Sequence, residues 1–345
     1  MGENALASGP VLVTGAAGFI GMQVSERLLA RGDQVIGVDA LTPYYDPALK
    51  RARLNYLKQH AGFTFYETDL ADVGATGDIF GAAKPDRIVH LAAQPGVRAS
   101  IDDPFTCIRA NCDAFVSVLE NARRHEVKHL VFASSSSVYG ANRTLPYATH
   151  QSVDHPVSLY AASKKANELM AHTYAHVHGL PVTGLRFFTV YGPWGRPDMA
   201  VYIFTRAIFE NRPIKIFNHG NMRRDFTYVD DIAEGVLRTL DRPAAPNPAW
   251  DPERPEAATS SAPYRIYNIG NNQPVNLLDF VSSLETIIGK PAIRDLRPMQ
   301  AGDVLETCAD ISALQRDVGF APSTPLAEGL GKFVAWYRGY HGEQS

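Results

Sequence analysis

The sequence predicts an α/β fold built on a doubly wound parallel sheet, together with a smaller α/β lobe. Three observations lead to this prediction. Short apolar segments alternate with helical patterns through the first half of the chain, as the strands and helices of such a sheet do. A glycine-rich turn joins the first of these strands to the first helix. After about residue 187, loops rich in glycine, proline and aromatic residues replace the regular alternation.

The first elements read as a strand, a helix and a second strand. The apolar run 11–13, closed by Thr14 and Gly15, has the composition of a buried parallel strand. A helical pattern covers residues 19–30 and ends at Gly32. Residues 35–39 form the next strand, so the segment predicts a right-handed βαβ unit.

The alternation then continues. Strands are predicted at 87–91, 129–133 and 181–186, and long helices at 105–124 and 160–178. These elements extend the sheet to the Rossmann type.

The domain boundary is placed where the alternation stops. Residues 1–186 are assigned to the Rossmann domain, and segments near 227–240 and 264–270 are expected to return to it. Residues 187–345 are assigned mainly to the smaller lobe, with a strand at 267–270 and a helix at 275–289. The aperiodic, Pro/Ala-rich stretch 241–262 is predicted to be a surface loop.

Composition excludes several functional classes. The formal net charge of −3 gives no broad basic field for nucleic acid. Three cysteines form neither a disulfide framework nor a metal-ligand cluster. No apolar run reaches the ~18 residues of a membrane span, and residues 1–10 lack the pattern of a secretory signal. We therefore expect a cytoplasmic protein that uses no metal and binds neither nucleic acid nor membrane.

The glycine-rich turn predicts a dinucleotide site. Such a turn lets backbone N–H groups approach a pyrophosphate at the positive end of a helix. Asp39 ends the second strand eighteen residues beyond Gly21, where a carboxylate can bind both ribose hydroxyls. The turn residues expected to contact the cofactor are Gly15, Ala17, Gly18, Phe19, Ile20 and Gly21.

Asp39 also favours NAD over NADP. Its charge would repel a 2′-phosphate, and residues 40–42 contain no cation to bind one. Asp69 and Leu70 follow another strand and could contact the adenine. Alternatively, Asp69 is an acidic loop residue that contacts only solvent.

Tyr160 and Lys164 form the candidate catalytic pair. Residues four apart share one face of a helix, so the phenol and the ammonium are expected to lie side by side. A phenol with a pKa of about 10 is a poor base at neutral pH. A neighbouring ammonium and a positively charged nicotinamide both favour the phenolate, which makes Tyr160 a candidate general base. Lys164 can also hold the nicotinamide ribose.

A run of serines ends the predicted strand 129–133. Its hydroxyls lie at the edge where this fold binds ligands. Ser135 is the first candidate to hydrogen-bond the substrate oxygen that Tyr160 deprotonates. Ser136 and Ser137 are expected to contact the substrate.

Together with His90-Leu91-Ala92-Ala93 and Arg224-Asp225-Phe226, these motifs resemble the extended short-chain dehydrogenase/reductases over nearly the whole chain. Within that family they look like the NAD-dependent nucleotide-sugar epimerases. Stretches 44–50, 92–98 and 186–200 are similar to the UDP-glucuronate 4-epimerases in particular.

The resemblance implies interconversion of UDP-glucuronate and UDP-galacturonate through a transient 4-keto sugar. Tyr160 takes the proton of the 4-OH while C4 passes a hydride to NAD. The keto sugar then turns its other face, and the hydride returns. A homodimer paired through helices 105–124 and 160–178 is also implied.

The resemblance extends to the binding residues. Leu91, Ala92, Ala93 and Lys164 are placed at the cofactor. Thr189 stands where galactose-type epimerases usually have Asn, and Arg196 can grip a carboxylate bidentately. These two, with Ser136 and Ser137, would keep the carboxylate of the β-keto acid away from the alignment that releases carbon dioxide. The remaining substrate candidates are Arg224 and Arg297 for the diphosphate, Asp303 in the same motif as Arg297, and Arg98 for either the phosphate or the carboxylate.

Three alternatives stay open. They are a 4-epimerase of UDP-glucose, UDP-N-acetylglucosamine or its uronate, a UDP-glucuronate decarboxylase, and a non-catalytic NAD sensor. The presence of Ser135, Tyr160 and Lys164 argues against a sensor. Ser136 and Ser137 occupy the places of the Asp-Glu pair found in related 4,6-dehydratases, which argues against dehydration.

Overall fold

The computed structural model describes residues 9–300 and 304–342. The strands are, in chain order, β1 (Val11–Thr14), β2 (Val35–Asp39), β3 (Phe63–Glu67), β4 (Arg87–His90), β5 (His129–Ser135), β6 (Val182–Phe187), β7 (Thr189–Tyr191), β8 (Ile214–Ile216), β9 (Arg223–Arg224), β10 (Phe226–Tyr228), β11 (Tyr264–Ile269), β12 (Val275–Asn276) and β13 (Arg294–Leu296).

The α-helices are α1 (Phe19–Arg31), α2 (Pro47–Leu57), α3 (Val73–Ala83), α4 (Ala99–Asp102), α5 (Pro104–Ile108), α6 (Ala114–Arg124), α7 (Leu159–His178), α8 (Ala200–Phe209), α9 (Val229–Leu240), α10 (Leu277–Ile288), α11 (Ser312–Val318) and α12 (Leu326–His341). A π-helical turn, Arg109–Asp113, joins α5 to α6, and 3-10 turns lie at Ser136–Tyr139 and Phe217–Gly220.

The strands β1 to β6 and the later strand β11 form one seven-stranded sheet with the order β11-β6-β5-β4-β1-β2-β3. The adjacent pairs from β3 to β5 are parallel. The chain moves outward from β1 to β3 and then starts again in the other direction at β4, so the predicted doubly wound sheet is confirmed. The order reverses between β1 and β4, which is the point where open α/β sheets bind ligands.

The chain divides into two compact units. Of the described residues, the first contains those up to Asn142 together with Thr149–Arg186 and Val236–Tyr267. The second contains Arg143–Ala148, Phe187–Gly235 and the residues from Asn268 onward.

The core of the first unit is typical of a parallel sheet covered by helices. Every residue of β1 and β2 is buried, as strands with both faces covered must be. Leu12, Leu130 and Phe132 of the sheet belong to one buried cluster with Phe115 and Leu119 of α6.

The second unit is a smaller α/β assembly. β7 pairs in parallel with β10, β8 pairs in parallel with β13, and β9 pairs with β12 in the antiparallel sense. Phe280 of α10 stacks on Phe226 of β10 with ring centroids 4.6 Å apart and also contacts Phe204 of α8. These aromatic contacts attach the helices to the short strands.

Three sequence predictions need correction. The helix expected at 105–124 is interrupted by the π-helical turn, because the carbonyl oxygen and side chain of Asn111 bind partners outside the helix. The strand expected at 129–133 continues to Ser135. The 241–262 segment is irregular, as expected, but Ser260 is buried where its hydroxyl contacts His172, so this stretch is only partly a surface loop.

Among the residues that the structure describes, none of the helices combines the length and the apolar character that a membrane span requires.

Candidate functional site

The glycine turn after β1 is tightly packed. Gly15 has φ +69°, and a Cβ there would lie 2.8 Å from the Ala92 backbone nitrogen. A Cβ on Gly21 would lie 2.0 Å from the Gly15 carbonyl oxygen. Gly18 precedes α1, and no side chain caps its first turn. The amides at the start of α1 therefore suit an anionic ligand such as a pyrophosphate.

Thr14 connects the glycine turn to the residues after β4. Its Oγ1 accepts hydrogen bonds from the backbone N–H groups of Leu91 and Ala92, each at 3.1 Å. Burial, helped by the charge of Lys164, lowers the pKa of His90 to about 3. The imidazole is therefore neutral, and its Nδ1 forms a hydrogen bond of 2.9 Å with the Thr14 hydroxyl. Sequence reasoning missed Thr14, although a hydroxyl at the end of a parallel strand was a signal for it.

Asp39 lies at the end of β2 with a cation beside it. Its Oδ1 accepts from the Leu41 N–H at 2.8 Å and lies 3.5 Å from the Lys50 ammonium. Lys50 also donates to Thr42 Oγ1 at 3.2 Å. The sequence argument considered residues 40–42, which contain no cation. It did not consider α2, which supplies Lys50 from eleven positions further along the chain.

Arg53, a second cation of α2, holds this helix against the glycine turn. Its guanidinium is fully buried and donates to the Ala17 carbonyl oxygen at 3.0 Å. It also donates to the hydroxyl of Tyr45. Sequence reasoning missed Arg53, because nothing in a local pattern marks a charged helix residue as buried.

Asp69 and Leu70 lie in different surroundings. Asp69 forms an ion pair of 2.9 Å with Arg109, and both side chains are about half exposed. Leu70 is buried in the hydrophobic cluster that includes Phe80 and Val118. Of these two residues, Asp69 is therefore the one with a solvent-exposed side chain.

Lys164 joins α7, the helix that carries Tyr160, to the serine-bearing strand. Its ammonium donates to the Ala133 carbonyl oxygen at 2.9 Å. Tyr160 lies in the first turn of α7, which Ser158 caps by accepting from the Ala161 N–H. Burial lowers the pKa of Lys164 to about 8, while Cys112 and Cys107 have the opposite effect.

The serines divide between the strand and a turn. Ser135 is the last residue of β5, and its Oγ accepts from the Ser137 N–H at 3.1 Å. Ser136 and Ser137 begin the 3-10 turn. The Ser135 hydroxyl is thus oriented by its own backbone turn.

Asn111 ties the segment after β4 to α7. Its Oδ1 accepts from the Gln94 N–H at 2.7 Å, and its amide donates to Ser163 Oγ at 2.9 Å. Its carbonyl oxygen accepts from Asn167 at 2.7 Å. That carbonyl belongs to the π-helical turn, and such turns recur at functional sites. Sequence reasoning missed this residue as well.

The remaining candidate in the first unit is Arg98, which directly precedes α4. The structure therefore brings the glycine turn, residues 91–93, Ser135 and Lys164 together within the first unit, since β1, β4 and β5 are neighbours and α7 is bonded to β5.

The other substrate candidates belong to the second unit. Arg196 forms a bidentate pair with Asp198, through Nε–Oδ1 at 3.0 Å and Nη2–Oδ2 at 2.6 Å. The guanidinium of Arg297 pairs with Asp295 at 2.9 Å. Asp303 lies outside the described residues.

Asp225 organises the surroundings of Thr189 and Arg224. Its buried carboxylate accepts from the N–H groups of Asn271 and Ala309, each at 2.9 Å. The Thr189 N–H donates to the Asp225 carbonyl oxygen at 3.3 Å. Arg224 donates to the Leu305 carbonyl oxygen at 3.2 Å.

Within residues 9–300 and 304–342, no group of three or more His, Cys, Asp or Glu side chains is arranged to hold a metal ion.

Comparison with known proteins places these features in context. Residues 11–270 match the NAD dependent epimerase/dehydratase family. The chain is 46% identical over 327 residues to a probable UDP-glucuronate 4-epimerase from Rhizobium meliloti, covering 94% of this chain and 96% of that protein.

Two solved structures are similar to the whole chain. The UDP-glucuronic acid 4-epimerase from Bacillus cereus, in complex with UDP-glucuronic acid and NAD, has a TM-score of 0.83 and 30% identity. The UDP-glucose 4-epimerase from Thermotoga maritima, with UDP-glucose, has a TM-score of 0.84 and 28% identity. Each alignment covers 96% of this chain and 99% of the other.

Proposed function

Because this chain belongs to the NAD-dependent epimerase/dehydratase family, we propose that it is an epimerase that interconverts UDP-glucuronate and UDP-galacturonate. The observation that carries the proposal is its 46% identity, over 94% of its length, to a probable UDP-glucuronate 4-epimerase. The hydrogen bond from Lys164 to Ala133 supports it, because that bond joins the Tyr160 helix to the Ser135 strand.

NAD fits the residues of the first unit. The uncapped start of α1 and the close-packed Gly15 and Gly21 form a cradle that an added Cβ would fill. In the proposal, the Gly15–Gly21 turn binds the pyrophosphate and Asp39 binds the adenosine ribose. Asp69 and residues 91–93 flank the nucleotide, and Lys164 holds the nicotinamide ribose. When bound, the nicotinamide supplies a reversible hydride acceptor for C4 of the sugar.

Tyr160 is the proposed general base. Its phenolate takes the proton of the 4-OH, and the nearby Lys164 ammonium stabilises the phenolate charge. Ser135 donates a hydrogen bond to the same sugar oxygen as a ketone forms there. The proton then returns from Tyr160 to the oxygen of the sugar in its inverted orientation, so the phenol is restored at each turnover.

The carboxylate at C5 requires its own ligands. A 4-keto uronic acid is a β-keto acid and loses carbon dioxide when the breaking bond aligns with the carbonyl π system. We assign Thr189 and Arg196, with Ser136 and Ser137, to hold the carboxylate out of that alignment. Asp198 supports the assignment, because its bidentate pair presents the Arg196 guanidinium in one fixed orientation.

The diphosphate is assigned to cations of the second unit. Arg224 and Arg297 are the proposed ligands, and Asp303 is retained as a candidate beside Arg297. Arg98 is kept as a ligand of either the phosphate or the carboxylate. Uridine is inferred from the related proteins and not from any single residue.

The deciding experiment is incubation of the purified protein with UDP-glucuronate, without added reductant, followed by NMR. UDP-galacturonate with its carboxylate retained is the expected product. A pentose product with released carbon dioxide would replace the proposal by a decarboxylase.

A second candidate function is 4-epimerisation of a neutral UDP-hexose. The specific observation in its favour is the similarity to the UDP-glucose 4-epimerase of Thermotoga maritima. Turnover of UDP-glucose or UDP-N-acetylglucosamine, with none of UDP-glucuronate, would establish this alternative.

We also propose a homodimer formed through the first unit. Phe105 of α5 is 86% exposed and Leu169 of α7 is 58% exposed. Burying such apolar side chains against a second copy would be favourable. Light scattering of the wild type and of the Phe105→Glu and Leu169→Glu variants tests this, and an unchanged mass in all three would contradict it.

Cytoplasmic location and the absence of nucleic-acid binding remain predictions, tested by cell fractionation and gel shift.

A further inference from the structure

A buried ion pair lies behind the proposed catalytic residues. The guanidinium of Arg186, on β6, donates to Glu168 Oε1 from Nε at 2.8 Å and to Oε2 from Nη2 at 2.9 Å. The side chains are 0% and 1% exposed. Such a pair rarely stabilises a fold more than apolar residues of similar volume would.

The pair is bonded to the strand that carries Ser135. The hydroxyl of Ser134 donates to Glu168 Oε1 at 2.7 Å. Successive side chains of a strand point to opposite faces. A hydroxyl anchored at Ser134 therefore fixes how Ser135 is presented on the other face.

The same pair contacts the turn that follows Ser135, and its Glu168 lies on the helix that holds the strand before Ser135. Glu168 lies one helical turn beyond Lys164, whose ammonium holds the Ala133 carbonyl oxygen. Arg186 donates to the hydroxyl of Tyr139 at 3.1 Å, at the end of the 3-10 turn that follows Ser135. Strand, turn and helix thus meet at one ionic group.

Glu168 stays ionised beside Arg186, so the ion pair is present at neutral pH. Burial alone would raise the pKa of the Glu168 carboxyl, but the charge and hydrogen bonds of Arg186 outweigh it, and that pKa lies below its ordinary value. The Lys165 ammonium lies 3.9 Å from the carboxylate, and the charge of Glu168 helps to raise the pKa of the buried Tyr264 phenol.

We propose that Glu168 and Arg186 are positioning residues, which hold Ser134 and thereby set Ser135 in register with Tyr160 and Lys164. The proposal rests on the proposed epimerase function. It assigns to the pair no contact with substrate or cofactor. Its effect is on the alignment of the reacting groups, where a displacement of about 1 Å can change a rate about 100-fold.

Two double variants separate positioning from stability. A single Arg186→Leu change would leave a buried charge unpaired and can prevent folding. Glu168→Leu with Arg186→Leu removes both charges and every hydrogen bond of the pair. Glu168→Gln with Arg186→Gln also removes both charges but leaves an amide oxygen that can accept from Ser134. Each is compared with wild type for melting temperature, kcat and KM on whichever UDP-sugar wild type epimerises.

The proposal predicts that kcat falls while the melting temperature and KM change little. The leucine pair should melt close to wild type, with kcat lowered roughly 10–100-fold and KM changed less than about threefold. The glutamine pair should recover much of kcat. Ser134→Ala should lower kcat with little change in melting temperature, whereas Glu328→Gln on α12, which breaks an exposed pair with Lys332, should change neither. A leucine pair with wild-type kcat would overturn the proposal.

Hydrogen exchange provides a readout that does not depend on the substrate. The amides of residues 133–137 should exchange faster in Ser134→Ala and in the leucine pair, while the other peptides keep their protection. Unchanged protection of this segment in both variants would refute the positioning role. A wild type that turns over no UDP-sugar would instead refute the proposed function, and the exchange result would still decide the positioning role.

Discussion

The Lys164 ammonium is held by the Ala133 carbonyl oxygen at a distance of 2.9 Å. This bond fixes the ammonium at the carboxyl end of β5, next to the serine run. Burial there lowers the pKa of Lys164 to about 8, despite an opposite effect of Cys112 and Cys107. In the proposed mechanism this ammonium supports the Tyr160 phenolate, and at mildly alkaline pH it is close to losing its proton.

The first prediction concerns this alkaline limit. We expect kcat/KM of the wild type to fall above about pH 8, approaching tenfold per pH unit, because deprotonated Lys164 no longer stabilises the Tyr160 phenolate. Lys164→Arg should be slower at neutral pH but should lack this decline, since a guanidinium stays protonated. A pH series of kcat/KM for both proteins measures the effect, and an identical alkaline decline in the variant would contradict it.

Deprotonation of Lys164 does not itself destabilise the fold in this pH range. The folded pKa of Lys164 lies below its unfolded value of 10.5, so the unfolded state binds more protons between about pH 8 and pH 10.5. The Lys164 contribution to the free energy of unfolding consequently rises with pH in that window. Melting temperatures recorded alongside the rates separate the two effects.

The second prediction concerns Tyr160. Tyr160→Phe removes the proposed base and should lower kcat about 10²–10⁴-fold, while NAD still copurifies with the protein. Tyr174→Phe is the matched control, because Tyr174 lies on the same helix and its hydroxyl contacts only the neighbouring Glu120 among the bonds described. A loss below about tenfold would assign the base to another group.

The parts of the site that the sequence predicted depend on short spacings. Gly15, Gly18 and Gly21 lie within one turn and one helix start, and Tyr160 and Lys164 are one helical turn apart. Their geometry follows from the local period of the chain. The doubly wound sheet follows from the strand–helix alternation for the same reason.

The parts that were missed depend on packing between distant segments. Lys50 reaches Asp39 only because α2 lies against the glycine turn through Arg53. Asn111 reaches Gln94 and Ser163 from a π-helical turn, and its partners lie 17 and 52 residues away along the chain. Neither arrangement has a sequence period that could reveal it.

The third prediction concerns cofactor choice. Asp39→Ser should weaken NAD binding about tenfold or more, since the ribose loses a charged acceptor. It should also raise the affinity for NADP relative to NAD, because Lys50 would then face the 2′-phosphate without the Asp39 charge. Adding Lys50→Met to this variant should remove the gain in NADP affinity and leave the NAD affinity unchanged. Titration calorimetry with both cofactors gives the ratios, and an equal loss for NAD and NADP in Asp39→Ser would contradict the arrangement.

The fourth prediction concerns acid stability. The pKa of His90 is lowered to about 3 by burial and by the charge of Lys164. Between this value and the unfolded value of 6.5 the unfolded state binds more protons, so stability present above pH 6.5 is lost as the pH falls. His90→Gln should be less stable at pH 7 but should lose less stability, on the order of a few kcal/mol less, between pH 6.5 and pH 4. Urea unfolding at both pH values tests this, and parallel losses would exclude His90 as the group responsible.

The fifth prediction concerns the sugar carboxylate. A hydrogen-bonded ion pair contributes roughly 1.5–3 kcal/mol, so Arg196→Gln should raise KM for UDP-glucuronate about 10–100-fold. It should affect UDP-glucose far less, because that sugar has no carboxylate at C5. Arg297→Gln is the comparison. Because Arg297 is the proposed diphosphate ligand, its loss should raise KM for UDP-glucuronate and for UDP-glucose to the same extent.

The product ratio gives the more specific test of Arg196. If its guanidinium keeps the carboxylate out of line with the ketone, the fraction of turnovers that release carbon dioxide should increase in Arg196→Gln. Asp198→Asn should produce a smaller increase, because the guanidinium would keep its charge but lose its bidentate partner. If Arg196 contributes only to substrate affinity, the variant should have a higher KM but should release no carbon dioxide at saturating substrate. A variant that binds weakly yet stays wholly epimerising would therefore limit Arg196 to affinity and assign the control of decarboxylation to Thr189 and the serines.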